Sequence, residues 1–237
     1  MQQPASAHAT HVGCVRECNE DCALSVPELG LWLVADGMGG HASGEVASRL
    51  VAEHVRQGVA HGLGLVNALE AAHMAVLDAA ARGVGGQGMG ATAVALRLEA
   101  GDYEISWVGD SRAYLWNGRR LSQLTRDHTF VQQLVDGGAL TPTQALSHPQ
   151  RNQVTQALGA AGLQELDVGT VLGTLRPGQA LLLCSDGLTG EVPDQRIRDV
   201  LAAEGDEQTK VDRLIDLALD AGAPDNVTVV LVSIPGA

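Results

Sequence analysis

The chain has 237 residues, enough for one large domain or two small ones with a well-buried core. Hydrophobic residues make up 45% and charged residues 18%, a globular balance that excludes a disordered chain. Acids outnumber Lys plus Arg by 28 to 15, a formal charge of −13, so the surface repels nucleic acid and anionic lipid and any phosphate-bearing partner needs a local cation.

No stretch approaches the roughly 20 apolar residues of a membrane span. The start, MQQPASAHATHVG, lacks the basic segment and apolar run of a secretory signal. The expectation is a cytoplasmic protein whose Cys14, Cys18, Cys22 and Cys184 are reduced thiols. His8 and His11 stand close to the first three, but C-x3-C-x3-C matches no common zinc spacing, so buried or free thiols are favoured over a structural zinc.

In chain order, Thr10 to Val15 and Cys22 to Val26 read as short strands, and Leu31 to Ala35 as a buried strand after the turn SVPELG. Ser43 is placed to cap a helix carrying Val46, Leu50, Val55 and Val59. A second helix spans Leu65 to Arg82, and the glycine-rich loop GVGGQGMG leads into the strands ATAVALRL and YEISWVG, joined by EAGD. RAYLW and RRLSQL form a hairpin about Asn117-Gly118, a pair suited to the two positive φ angles of a type I′ turn. Asp127 to Val135 reads as a helix stopped by Gly137-Gly138. An irregular excursion broken by Pro142 and Pro149 runs on to Gly159. LDVGTVL and QALLLCS are strands, two amphipathic helices cover Pro193–Ala203 and Glu207–Ala221, and Asn226 to Ile234 is a closing strand. Grouped strands with paired helices point to an α+β fold with antiparallel sheets rather than to alternating βαβ units.

Four acids stand where an apolar strand meets small or polar residues: Asp36 in VADGMGG, Asp110 in WVGDSR, Asp186 in CSDGLTG and Asp225 in APDNVT. Glu20-Asp21 forms a fifth acidic point in VRECNED. Each alone reads as a turn. Together, carboxylates converging at the ends of buried strands would be desolvated and mutually repulsive unless a cation joins them. Oxygen donors without His or thiol favour a hard ion, Mg²⁺ or Mn²⁺. Asp36 would give carboxylate oxygens and Gly37 its carbonyl, with the neighbouring glycines leaving room for water and substrate. Two such ions sharing a carboxylate and a water are a common device for attack on phosphorus. Arg16, four residues before Glu20, is the candidate planar cation for a phosphate.

The segments VRECNED, VADGMGGHASGEVAS, GMGATAVAL, WVGDSRAYLW, LTRDHTFVQQLV, HPQRNQVTQALG, LLLCSDGLTGEV and APDNVTVVLV, in this order, resemble the PPM (type 2C) family of metal-dependent Ser/Thr protein phosphatases, its compact bacterial members above all. The resemblance covers nearly the whole chain and implies one catalytic domain over residues 1–237, a four-layer α-β-β-α sandwich. It further implies that Asp36 bridges two Mn²⁺ or Mg²⁺ ions, with Asp186 and Asp225 completing one shell and the Gly37 carbonyl and Glu20 the other. Asp21 would hold metal-bound waters, Arg16 the phosphate, and Asp110 with Asp186 a third, weaker ion. A metal-bridging water would attack phosphorus directly, and residues 128–159 would form a flap beside the site. The implied partners are phosphoproteins made by a Ser/Thr kinase, the kinase itself included, met by a monomer with no nucleic acid and no membrane.

Met38 stands where animal relatives carry a proposed general-acid histidine, and methionine cannot donate a proton. His41 is read as a helix-start or packing residue rather than that donor, and Asp127-His128 as a helix cap with a surface histidine rather than a dyad. GVGGQGMGAT lacks the Lys of a phosphate loop. Ser185 and Ser111 lack nucleophile context and are read as support for the neighbouring acids. Two rival functions are a non-catalytic binding module and a hydrolase of small phosphate esters.

Overall fold

Short apolar runs punctuated by Gly, Pro and Asn give ten strands among the described residues of the computed structural model, which are 3–39, 43–163 and 165–236. One sheet has the order β1 (Ala5–His11), β10 (Val227–Ser233), β9 (Ala180–Cys184), β6 (Arg112–Trp116), β7 (Leu121–Gln123). The other has the order β2 (Asp21–Val26), β3 (Leu31–Met38), β4 (Gly90–Glu99), β5 (Asp102–Val108), β8 (Gly169–Thr174). Every strand pair is antiparallel.

The sheets pack face to face, and this explains why LWLVA and ALLLC are apolar without alternation: both faces of each strand are covered. Trp32 and Val34 of β3 meet Leu181 and Leu183 of β9 and Val230 and Val232 of β10 in the layer between the sheets. The alternate residues Leu33 and Ala35 pack outward against α1 (Ser43–Ala60) and α2 (Leu65–Ala81). On the opposite outer face, Leu182, Val229 and Leu231 pack against α6 (Asp194–Ala202) and α7 (Glu207–Asp220). The result is the expected four-layer α-β-β-α sandwich. A short helix, α5 (Asp186–Thr189), follows β9 directly, and α3 (Phe130–Asp136) and α4 (Pro142–Leu146) lie in the long segment between β7 and β8.

Local departures from the sequence reading have physical causes. The first strand is Ala5–His11 rather than Thr10–Val15: it pairs along β10 from Ala5↔Ser233 to His11↔Val227. Its small alanines hide the apolar alternation of an edge strand, and Gly13 at φ +81° turns the chain away. The third strand runs on past Ala35 to Met38, so Asp36 and Gly37 are strand residues. The type I′ geometry is found at Ala100 (φ 54°) and Gly101 (φ 94°) in EAGD. At Asn117-Gly118 only the glycine is left-handed; the Asn117 side chain instead accepts the N–H groups of Arg119 and Arg120. The first helix starts at Ser43 itself, inside the helix rather than as its cap.

Truncating the inter-sheet Leu183 to Ala is expected to lower stability by about 2–5 kcal/mol, whereas Leu172→Ala, on an exposed side chain, should change it by less than about 0.5 kcal/mol. Urea unfolding followed by tryptophan fluorescence checks both values.

Candidate metal centre

Antiparallel pairing sets the start of one strand beside the end of the next, and the acids of the sequence analysis occupy one such end. Asp21 opens β2 and is the direct cross-strand partner of Asp36 on β3, with Thr92 of β4 on the other side of Asp36. From the second sheet, Asp186 opens α5 just past β9, and Asp225 stands two residues before β10. Asp110 lies in the bend between β5 and β6. Asp21 and Asp110 are buried, while Asp36 and Asp186 are partly open to solvent, so the acids line a pit with a mouth.

Ser185 joins the two sheets at this point. Its Oγ donates to Asp21 Oδ2 at 2.8 Å and accepts the Thr228 N–H at 3.0 Å. Ser111 Oγ pairs with Thr92 Oγ1 at 2.8 Å, Thr92 being the cross-strand partner of Asp36. Ser185 therefore supports an acid directly, whereas Ser111 bonds Thr92 and no acid. Arg16 lies at the rim and binds Asp225 Oδ2 at 2.8 Å, both side chains well exposed. Glu20 Oε1 accepts the Gly44 N–H at 3.2 Å in the first turn of α1, where the helix dipole favours a negative group.

The electrostatics are those of crowded anions. Burial pushes Asp21 up to about 7, with Asp186 and Asp225 adding to the shift against hydrogen bonds from Thr228 and Ser185. Burial likewise raises Asp110 to about 8, helped by Asp186 and Asp127. Desolvation holds Asp36 well above the ordinary carboxylate range, with Asp21, Asp186, Asp110 and Asp225 all contributing. Asp186 is raised by desolvation and then by Asp225, and it in turn adds to the shift of Asp36. Asp21 Oδ1 is buried with no hydrogen-bond partner. Among the described residues no three His, Cys, Asp or Glu side chains close on a single ligating point; the oxygens are turned instead to donors of the chain. Hard oxygen donors, mutual repulsion and an orphaned buried oxygen together fit a divalent hard cation.

Two features escape the sequence reading. The first is Asn226, which is buried and holds the Arg16 loop in place. Its Nδ2 donates to the carbonyls of Val12 (2.9 Å) and Cys18 (3.0 Å), and its Oδ1 accepts the Glu20 N–H at 2.8 Å. Its place directly after Asp225 was the available signal. The second is the reason for Gly37. An added Cβ would lie 2.1 Å from the Gly44 carbonyl oxygen and 2.6 Å from that of Glu20. Its bareness lets β3, the Glu20 loop and the start of α1 close on one another, a packing demand in addition to any ligand approach.

Asp127 does not cap α3; Thr129 does, its side chain accepting the Gln132 N–H. Asp127 is instead gripped by Arg112, whose Nε lies 3.0 Å from both carboxylate oxygens and whose Nη2 lies 2.6 Å from Oδ2. His128 is half-buried, not on the surface. Met38 closes β3 opposite Gly90. Gly40 and His41 lie outside the described residues.

A protein-family description, protein phosphatase 2C, matches residues 14–214. The serine/threonine protein phosphatase PstP of Mycobacterium tuberculosis is 40% identical over 232 residues, covering 94% of this chain. This chain spans only 43% of the length of that relative. The crystal structure of the M. tuberculosis serine/threonine phosphatase PstP/Ppp superposes with a TM-score of 0.90 at 38% identity, covering 98% of this chain and 99% of the other. The catalytic domain of PstP in complex with two manganese ions superposes with a TM-score of 0.87 at 35% identity over 98% of each chain. With the sandwich and its acidic pit, these matches identify the chain as a member of the protein phosphatase 2C family.

Proposed function

We propose that the chain is a metal-dependent protein-serine/threonine phosphatase, with residues 1–237 acting as one catalytic unit and residues 128–159 flanking its mouth. The observation that carries this reading is the pit of mutually repelling acids, with the orphaned Asp21 Oδ1 in its wall and Arg16 at its rim.

In this reading Asp36, the cross-strand partner of Asp21, would hold two Mn²⁺ or Mg²⁺ ions. Asp186 and Asp225 would complete the binding of one ion, and the Gly37 carbonyl and Glu20 would hold the other. Asp21 would orient bound water, and Asp110 with Asp186 would take a third, weaker ion. When bound, the ions supply Lewis acidity, making a water acidic and neutralising charge on the phosphoryl group. Arg16 supplies the planar cation that turns from Asp225 to grip two phosphate oxygens, against a surface that otherwise repels them. Its exposure suits a phosphate borne on another protein. The Asn226 clamp fixes the Arg16 loop and Glu20 relative to Asp225, so phosphate grip and cation binding share one frame. Met38 itself cannot donate a proton, so the departing Ser or Thr oxygen would take its proton from another group of the site or from bound water.

The substrates in this reading are phosphoproteins made by a Ser/Thr kinase, which is itself a candidate substrate. The scattered exposed hydrophobics Val15, Leu63, Met74, Val84, Leu146 and Leu172 fit a monomer. The exposed, unpaired Cys14 and Cys18 fit a reducing cytoplasm, and among the described residues no helix is long and apolar enough to cross a membrane.

Manganese-dependent release of nitrophenol from p-nitrophenyl phosphate separates an enzyme from a binding module, and phosphopeptides set against sugar phosphates separate a protein phosphatase from a metabolic one. Activity with metal and a preference for phosphopeptides are expected; a folded, metal-loaded protein with no turnover would refute the proposal. Asp36→Asn and Asp186→Asn should each lower kcat/KM by about a hundredfold or more while the far-UV spectrum is unchanged. Arg16→Ala should weaken inorganic phosphate binding by about ten- to a hundredfold with bound manganese retained, as read by calorimetry.

Because the folded-state pKa values of Asp21 and Asp110 lie above the ordinary 3.8, the folded protein holds protons that the unfolded chain has lost. Their contribution to stability is complete below about pH 4 and is lost as pH rises through about 7 and 8. In EDTA the thermal midpoint should therefore fall between pH 6 and pH 8. Added Mg²⁺ should raise it more at pH 8 than at pH 6, and an equal rise at both would contradict this account.

A further inference from the structure

Asp110 lies outside any strand, in the bend between β5 and β6. Its position is set from outside, by the root of the 128–159 segment. The residue before it, Gly109, is held in both directions by one residue: the His128 N–H donates to the Gly109 carbonyl at 2.9 Å, and the Gly109 N–H donates to His128 Nδ1 at 3.2 Å. Two residues after Asp110, Arg112 grips Asp127 through three contacts and reaches the Tyr114 hydroxyl at 3.1 Å. Asp110 is thus bracketed by two adjacent residues of a different segment.

His128 and the two residues after it also hold the near end of the excursion together. The His128 carbonyl accepts the Thr155 N–H at 2.8 Å, Thr129 bridges Val154, and the Phe130 N–H donates to the Gln153 carbonyl at 2.9 Å. The outgoing and returning arms of the segment therefore meet at His128. Its far end is fastened separately, where Ala91 of β4 exchanges two backbone hydrogen bonds with Leu158 and His73 Nδ1 of α2 accepts the Gly159 N–H. A shift of the arms has a direct mechanical route through His128 to Gly109, and so to Asp110.

We propose that His128 and Asp127 are positioning residues for Asp110: they tie the placement of the 128–159 segment to the distance between Asp110 and Asp186, and so to the affinity of a divalent cation held by that pair. The inference rests on the reading that Asp110 and Asp186 take a cation. Neither His128 nor Asp127 touches substrate or ion in this scheme; each acts through Gly109 or Arg112. Loss of such an outer partner weakens cation binding by about ten- to a hundredfold in comparable sites.

The test counts and titrates bound Mn²⁺ by electron paramagnetic resonance on the folded full chain, in parent, Asp110→Asn, His128→Ala, His128→Asn and Asp127→Asn, with thermal midpoints recorded alongside. In the parent the weakest class of Mn²⁺ should disappear in Asp110→Asn. It should weaken about tenfold in His128→Ala and in Asp127→Asn, with the tighter ions unchanged. His128→Asn, whose Oδ1 can take the Gly109 N–H in place of Nδ1, should recover most of that affinity. With phosphopeptide, His128→Ala should lower kcat at fixed low Mn²⁺ and regain it at high Mn²⁺, with KM unchanged. If Asp110→Asn leaves every class of Mn²⁺ intact, the cation reading of Asp110 fails and the coupling with it. If Asp110→Asn removes the weak class but His128→Ala and Asp127→Asn, folded, bind Mn²⁺ as the parent does, the coupling alone is overturned.

Discussion

The repulsion between carboxylates at one shared end of two stacked sheets is the constraint on which the rest of the structure turns. Asp21 and Asp36 face each other across adjacent strands, and Asp186, Asp110 and Asp225 stand close enough to raise the proton affinity of Asp36. An arrangement of this kind costs stability unless protons or cations occupy it. The surrounding frame is correspondingly over-determined. Both sheets are covered on both faces, Ser185 ties Asp21 to the second sheet, and Thr92 and Ser111 join the strand beside Asp36 to the bend after β5. Local strain is thereby resisted by a core that has no reason to yield.

The loops that carry charge to this site are held by few but central contacts. Asn226 uses both its donor and its acceptor atoms to bind the 12–20 loop, so Arg16 and Glu20 are presented from a fixed base while Arg16 itself stays exposed. Gly37 permits the close approach of three backbones at the same point, and a side chain there would push the Glu20 loop and α1 apart. On the opposite side, Arg112 and Asp127 form a partly buried bidentate pair between β6 and the root of the 128–159 segment. The chemistry is concentrated in acids, but their geometry is owed to neutral and glycine residues around them.

Much of this was legible in the sequence. The apolar runs LWLVA and ALLLC and the helix stripes point to an α+β fold with antiparallel sheets, the four layers come with the family resemblance, and Asp21, Asp36, Asp110, Asp186 and Asp225 stand close enough together to perturb one another. What was not legible has physical explanations. The first strand was misplaced because alternating alanines carry little apolar signal, and its partner lies more than two hundred residues away in the chain. Asn117-Gly118 carried the local mark of a tight hairpin, yet the asparagine side chain satisfied the turn in another way. Asp127 was read as a cap because its partner Arg112 is fifteen residues upstream and only the folded chain brings them together. The Gly37 requirement and the Asn226 clamp likewise arise from tertiary contacts that no window of sequence contains.

Anomalous diffraction at the manganese edge, from crystals of this chain grown with Mn²⁺, addresses the central claim most directly. The account predicts two strong peaks that share Asp36, one also ligated by Asp186 and Asp225 and the other by the Gly37 carbonyl. Manganese bound elsewhere on the chain, or Asp36, Asp186 and Asp225 ligating no common ion, would contradict it.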